Sequence, residues 1–286
     1  MKDFFYLDNG TIRAKILYPV NAKYTGTRFC HSGFITDIWY KGVKFSEYER
    51  AQGGNPTTEG SGMCAAYEPF HMEEQPADGR WYLMPGVGPV LAGDPKHAYQ
   101  GMQVDFWFDD CRAEFETQSP DVDGYSYYEK RQIYLEDEEI VEKVLMRNTG
   151  SKKLKGSEYN HNFLSLGGRD ISPDYQLKVY CVQPPEGMQA KEMIYKDGVF
   201  TYTDYPTRSC FFKTFDTVPV AGKNGGLAWE MKSVETGISC YEKIDFDPVR
   251  VQVWNDYYCM CCEVFAPIDL EPGEETSWDR RWGFSV

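Results

Sequence analysis

The sequence predicts an all-β protein of two large antiparallel sheets packed face to face, and three observations carry that prediction. Aromatic residues are dense, with 7 Trp, 21 Tyr and 17 Phe among 286 residues. The 26 glycines and 16 prolines recur at short intervals, as expected where many short strands are joined by tight turns. Helical periodicity is scarce, whereas a period of two is plain beyond the Pro272-Gly273 turn. There Thr276, Trp278, Arg280, Trp282 and Phe284 alternate with Ser277, Asp279, Arg281, Gly283 and Ser285, which describes a strand with one buried face.

Taken in order, Ala51 to Gly101 is the least regular stretch. It contains Gln52-Gly-Gly-Asn-Pro-Thr-Thr-Glu-Gly-Ser-Gly62 and several prolines. Long loops on a rigid β scaffold commonly carry function. The clearest hairpin runs from Tyr125 to Asn148. Arg131-Gln-Ile-Tyr-Leu135 enters the acidic turn Glu136-Asp-Glu-Glu139, and Ile140-Val-Glu-Lys-Val-Leu-Met146 returns. One short helix is expected from Glu186 to Lys196, with Gly198 just past its end. No repeat, low-complexity tract or break in composition divides the chain, so residues 1–286 read as a single domain. A chain of this length buries a sizeable core without staples.

Lys and Arg number 30 against 44 Asp and Glu, a net charge of −14. That excludes a nucleic-acid scaffold and disfavours anionic membranes and polyanionic substrates. No apolar run approaches the roughly 18 residues that span a bilayer. Met1-Lys-Asp-Phe-Phe-Tyr-Leu-Asp-Asn-Gly10 lacks the pattern of a signal peptide, so a cytoplasmic location is expected. The nine cysteines are odd in number and scattered, and they read as reduced thiols. In Cys259-Met-Cys261-Cys262, alternation puts Cys259 and Cys261 on one strand face and Cys262 on the other. With no second Cys or His pair at zinc spacing, they are expected to be small buried hydrophobes, and neither metal nor cofactor is called for.

The chain has four histidines: His31, His71, His97 and His161. A general acid near neutral pH is most easily a histidine. His161 lies in Glu158-Tyr-Asn-His-Asn-Phe-Leu-Ser-Leu-Gly-Gly168, where Tyr159, His161 and Phe163 share one strand face and Asn160 and Asn162 the other. A core histidine with a hydrogen-bonded neighbour and a catalytic one both fit this pattern. Glu263 sits in the apolar run Tyr258-Cys-Met-Cys-Cys-Glu-Val-Phe-Ala-Pro267. A carboxylate there must be paired or neutralised, so it is either a salt-bridge partner or a tuned base.

These segments resemble the aldose 1-epimerase (galactose mutarotase) superfamily. Asn160-His-Asn-Phe-Leu-Ser-Leu-Gly-Gly168 is similar to its His-containing strand, and the hairpin ending Arg147-Asn-Thr-Gly150 stands where that family has one. Val253-Trp-Asn255 followed by Cys262-Glu263 is similar to the Val-Trp-Asn…Val-Glu-Pro region of its hexose-phosphate branch. Ile268-Asp-Leu-Glu-Pro-Gly-Glu-Glu-Thr276 is similar to its closing strand. Gly26-Thr-Arg-Phe29, Ser32-Gly-Phe-Ile35 and Tyr40-Lys-Gly42 resemble an uncharacterised bacterial branch. The match runs from residue 24 to 286 and is poor between about 50 and 110. It implies a large antiparallel β-supersandwich with a sugar on one sheet, His161 as acid and Glu263 as base. Arg28 would be a ligand clamp, able to fork two hydroxyls or a carboxylate. The family has a further His, often His-Gly, in its first third. This chain has no His-Gly there, which leaves His71, His97 and Glu68 as candidates for that role.

The implied reaction is anomer interconversion of a monosaccharide. Acid and base are expected on opposite sides of the sugar's reacting end, one protonating the ring oxygen and the other deprotonating the anomeric hydroxyl. Asn162 is a candidate substrate contact. Trp254, and more weakly Trp107, would stack on the sugar's apolar face. A sugar lyase, a C-epimerase or a non-catalytic sugar-binding module would suit the same scaffold. An exposed strand edge would permit a homodimer.

Overall fold

The structure is a computed structural model and describes residues 3–19, 24–50, 59–70, 72, 76–207, 210–212 and 217–286. The short alternating segments become strands β1 (Phe4–Asp8), β2 (Ile12–Leu17), β3 (Ile35–Tyr40), β4 (Val43–Lys44), β5 (Met63–Tyr67), β6 (Trp81–Met84), β7 (Gly88–Leu91), β8 (Asp105–Phe108), β9 (Arg112–Gln118), β10 (Tyr127–Glu136) and β11 (Glu139–Asn148). They continue as β12 (Leu154–Asn162), β13 (Tyr175–Val179), β14 (Gln189–Ala190), β15 (Met193–Lys196), β16 (Val199–Tyr202), β17 (Cys210–Phe212), β18 (Leu227–Ser233), β19 (Ser239–Ile244), β20 (Arg250–Asp256), β21 (Cys259–Leu270) and β22 (Glu275–Ser285).

A nine-stranded sheet runs β1-β2-β3-β5-β12-β21-β20-β17, with β4 beside β3. An eleven-stranded sheet runs β14-β15-β16-β13-β18-β19-β22-β11-β10-β9-β8, and β6 and β7 form a separate ribbon. Neighbouring strands pair antiparallel, as in β10 and β11, where Tyr127 faces Asn148 and Glu136 faces Glu139. Asp137 closes that turn in the left-handed region, φ 51°, which aspartate tolerates better than most residues. The expected all-β sandwich is therefore present.

The two sheets share one apolar layer. The nine-stranded sheet contributes Ile35, Met63, Val251, Cys262 and Val264; the eleven-stranded sheet contributes Phe115, Ile133, Trp229, Met231, Trp282 and Phe284. Each such side chain stabilises the fold by about 1.5–3 kcal/mol. The same layer contains two fully buried arginines. Arg280 of β22 donates to Glu158 Oε2 at 2.8 Å, to Glu242 Oε1 at 2.8 Å and to the Val264 carbonyl at 2.8 Å. Arg131 of β10 donates to Glu142 at 2.5 Å and to the Tyr67 hydroxyl at 3.0 Å. Both arginines thus tie the eleven-stranded sheet to β5, β12 and β21 in the centre of the other.

Two expectations need correction. Residues 186–196 do not form a helix: Gln189–Ala190 pairs with Met193–Lys196 around a two-residue turn whose Lys191 has φ 56°. Ala, Lys, Glu and Met favour helix, but pairing of β15 with β16 and full burial of Met193 outweigh that weak preference. The irregular stretch from Ala51 to Gly101 is not all loop. It supplies β5, buried at every position, which pairs with β12.

Candidate functional site

The face of the nine-stranded sheet turned away from the other sheet carries His161 and Glu263. On β12, period two sends Asn160 towards Glu142 of the other sheet, so Tyr159 and His161 point outward, and Phe163, just past the strand's end, joins them. On β21, Met260, Cys262 and Val264 enter the main core, so Cys259, Cys261 and Glu263 point outward. Register does the rest. Cys64 of β5 stands opposite His161, Gln252 of β20 stands opposite Glu263, and Trp254 stands opposite Cys261.

His161 Nε2 lies 3.0 Å from Glu263 Oε1. The two residues are only 3% and 5% exposed, so each meets the other's need for a polar partner away from water. The Phe163 ring stacks on the imidazole at 4.1 Å between centroids and 13° between planes. Trp254 and Phe29 approach it edge-on at 5.7 and 5.9 Å. These aromatics fix the ring's orientation. Its other nitrogen, Nδ1, is buried without a partner.

Cys261 Sγ lies 3.9 Å from the same Glu263 oxygen and accepts the Asn162 backbone N–H at 3.1 Å. Burial, and secondarily the Glu263 carboxylate, pushes the Cys261 thiol well above its usual range. The same two causes raise the Tyr159 phenol, half-buried beside the pair and stacked on Phe265 at 4.3 Å.

The other predicted site residues divide. Trp254 is at the pair, as described. Arg28 is held by Glu49, with Nη1 to Oε1 at 2.8 Å and to Oε2 at 3.0 Å, and lies over Phe29 with Cζ 4.6 Å from the ring centroid. Burial opposes its charge, but Glu49 more than compensates, and the guanidinium pKa rises. Glu68 follows directly on β5, but it accepts from Ser157 Oγ at 2.6 Å and from Arg250 Nη2, away from His161. It borders a cavity of about 740 Å³ that Phe70, Tyr82 and His97 also line, and that does not include the His–Glu pair. His97 is an exposed turn residue at φ 50°. Asn162 is turned to the inner face and donates to the Cys262 carbonyl at 3.2 Å, so the structure does not bring it to the pair. Trp107 is 53% exposed on β8 of the other sheet. His71 lies outside the described residues.

Solved structures share this architecture over nearly the whole chain. A candidate aldose 1-epimerase from Escherichia coli K12 aligns with a TM-score of 0.62 at 11% identity, covering 99% of this chain and 98% of that one. The fold is galactose mutarotase-like. A galactose mutarotase related enzyme from Lactobacillus acidophilus gives a TM-score of 0.58 at 12% identity, covering 99% of this chain and 97% of that one. A galactose mutarotase-like protein from Lactobacillus casei ATCC 334 gives 0.58 at 12%, covering 99% and 100%. No protein-family model and no curated protein matches the sequence. Identities this low establish the galactose mutarotase-like fold and leave the activity to be argued from the site.

Two features of that site escape a reading of spacing alone. Acid and base were expected across the sugar from one another, yet His161 and Glu263 stand side by side. Cys261, expected as a plain core residue, joins them within 4.8 Å. Alternation along β21 carries the face of Cys259 and Cys261 on to Glu263, but only the pairing of β12 with β21 puts His161 beside them.

Proposed function

We propose that the outer face of the nine-stranded sheet handles a monosaccharide, with His161 and Glu263 interconverting its anomers. The observation that carries this reading is the 3.0 Å contact between imidazole and carboxylate. The ring oxygen and the anomeric hydroxyl of a sugar are bonded to the same carbon. An acid and a base that serve them together therefore need to be neighbours.

In this mechanism His161 is the imidazolium and Glu263 the carboxylate. Glu263 removes the anomeric hydroxyl proton while Nε2–H of His161 protonates the ring oxygen. The bond from the anomeric carbon to the ring oxygen breaks, and a carbonyl forms. After rotation about the adjacent carbon–carbon bond, Glu263 returns its proton to the carbonyl oxygen. His161 takes the proton of the attacking hydroxyl, and the ring closes as the other anomer. Protons balance without metal or redox partner. Acid–base assistance of this kind contributes roughly 10²–10⁴-fold. Trp254, half-buried beside the imidazole, would offer its face to the sugar's C–H bonds.

A binding role without catalysis is the second reading, favoured by the near-complete burial of the pair. Polarimetry on freshly dissolved α-aldoses, with neutral, acidic and phosphorylated sugars in the panel, separates the two. Faster mutarotation that His161→Gln abolishes supports catalysis. Sugar binding with no acceleration in any member of the panel supports the module.

A further inference from the structure

We infer that His161, Cys261 and Glu263 form a binding site for a divalent transition metal, zinc best matching the donors. One imidazole nitrogen, one thiol sulfur and one carboxylate oxygen lie within 4.8 Å of one another, the nitrogen 3.0 Å and the sulfur 3.9 Å from the oxygen. Tetrahedral zinc, with bonds of about 2.0–2.3 Å, holds such atoms roughly 3.3–3.7 Å apart, so small side-chain adjustments suffice. Thiolate, imidazole and carboxylate together are a zinc-type donor set. Three protein ligands also leave a fourth position open.

Charge favours occupation. Glu263 and a Cys261 thiolate carry two negative charges, His161 as a neutral ligand carries none, and a divalent cation brings the buried cluster to zero. The Asn162 backbone N–H already points at Cys261 Sγ at 3.1 Å, where it would stabilise the thiolate. The metal–sulfur bond forms as the S–H bond breaks, and the proton leaves to solvent. With Nε2 on the metal, Nδ1–H is buried without an acceptor, which holds the affinity below that of a fully supported site. The inference needs only the three donors and does not rest on the proposed sugar chemistry. A bound metal would occupy both acid and base, so metal-loaded and exchange-active forms exclude one another.

The test is titration of the purified chain with Co²⁺, followed by the thiolate-to-cobalt charge-transfer absorption, with Zn²⁺ as competitor. Proton release on metal binding, one from the Cys261 thiol and a second from His161 where it starts as the imidazolium, is read by calorimetry in two buffers. The expected result is a saturable band that Zn²⁺ displaces. Cys261→Ser abolishes the band, His161→Gln weakens binding at least about tenfold, and Cys111→Ser, which removes a half-buried thiol elsewhere, leaves it unchanged. No band, a band that survives Cys261→Ser, or one lost with Cys111→Ser overturns the site. Thermal unfolding of each variant shows whether a lost band reflects lost folding. If Cys261→Ser does not fold, the His161→Gln and Glu263→Gln affinities decide, and unchanged values reject the site. The readout is absorbance, so failure here is distinct from failure of anomer exchange.

Discussion

Replacing Arg280 by methionine should weaken the fold steeply at alkaline pH and much less in acid. Arg280 is fully buried and donates to Glu158, Glu242 and the Val264 carbonyl. Removing one partner of a buried ion pair typically costs 3–5 kcal/mol, because the orphaned charge stays out of water. Here two carboxylates lose their counter-charge, Glu242 keeping only the Trp229 Nε1–H, so about 3–5 kcal/mol is expected at pH 8. Burial already pushes Glu242 up from 4.5 to about 7, against the opposing pull of Arg280, and Glu158 is raised for the same reason. The folded chain therefore binds the Glu242 proton near pH 7 and the unfolded chain near pH 4.5. Between those values the folded state holds more protons, and stability falls as pH rises. For Glu242 alone this amounts to about 3 kcal/mol, present in full below pH 4.5 and lost as pH rises through 7. Without Arg280 both carboxylates protonate more readily, so the deficit of the variant should shrink towards pH 5. Urea unfolding at pH 8 and pH 5.5 measures it. A deficit below about 1 kcal/mol at pH 8, or one that grows on acidification, refutes the reasoning.

Three further outcomes can be checked. A Cβ on Gly60 would lie 2.1 Å from Phe163 Cε2, so Gly60→Ala should cost about 1–3 kcal/mol in thermal unfolding and shift the His161 ring resonances by displacing the ring stacked on it. Asn148 is fully buried and donates to the Lys152 and Leu270 carbonyls at 2.8 and 2.9 Å; Asn148→Ala should cost about 1–3 kcal/mol in urea unfolding. Trp254→Ala should weaken sugar binding roughly tenfold in titration calorimetry while the fold persists, because the indole is only partly buried.

The sequence reveals what is periodic and local. The 125–148 hairpin, the alternating strand through Trp278 and Trp282, and the opposed faces of Cys261 and Cys262 all follow from a period of two. Arg280 shows where this reading weakens. Alternation puts it on the buried face and its charge argues for water; alternation wins because Glu158 and Glu242 come from two other strands to meet it. Long-range partners are not written locally. Nothing within the stretch around Glu68 announces Arg250, which engages it from 182 residues away. The proximity of His161 and Glu263 likewise depends on the β12–β21 ladder, which spacing along the chain does not encode. The 186–196 segment fails for the opposite reason, since a local helical preference yields to pairing with β16.

The most direct measurement of the proposed acid and base is NMR exchange between α- and β-anomer resonances of aldoses at equilibrium, with the chain and with its His161→Gln and Glu263→Gln variants. Accelerated exchange for at least one sugar, lost in both variants while each stays folded, is the predicted result. Folded variants that exchange as fast as the parent, or a parent that accelerates no sugar, would contradict it.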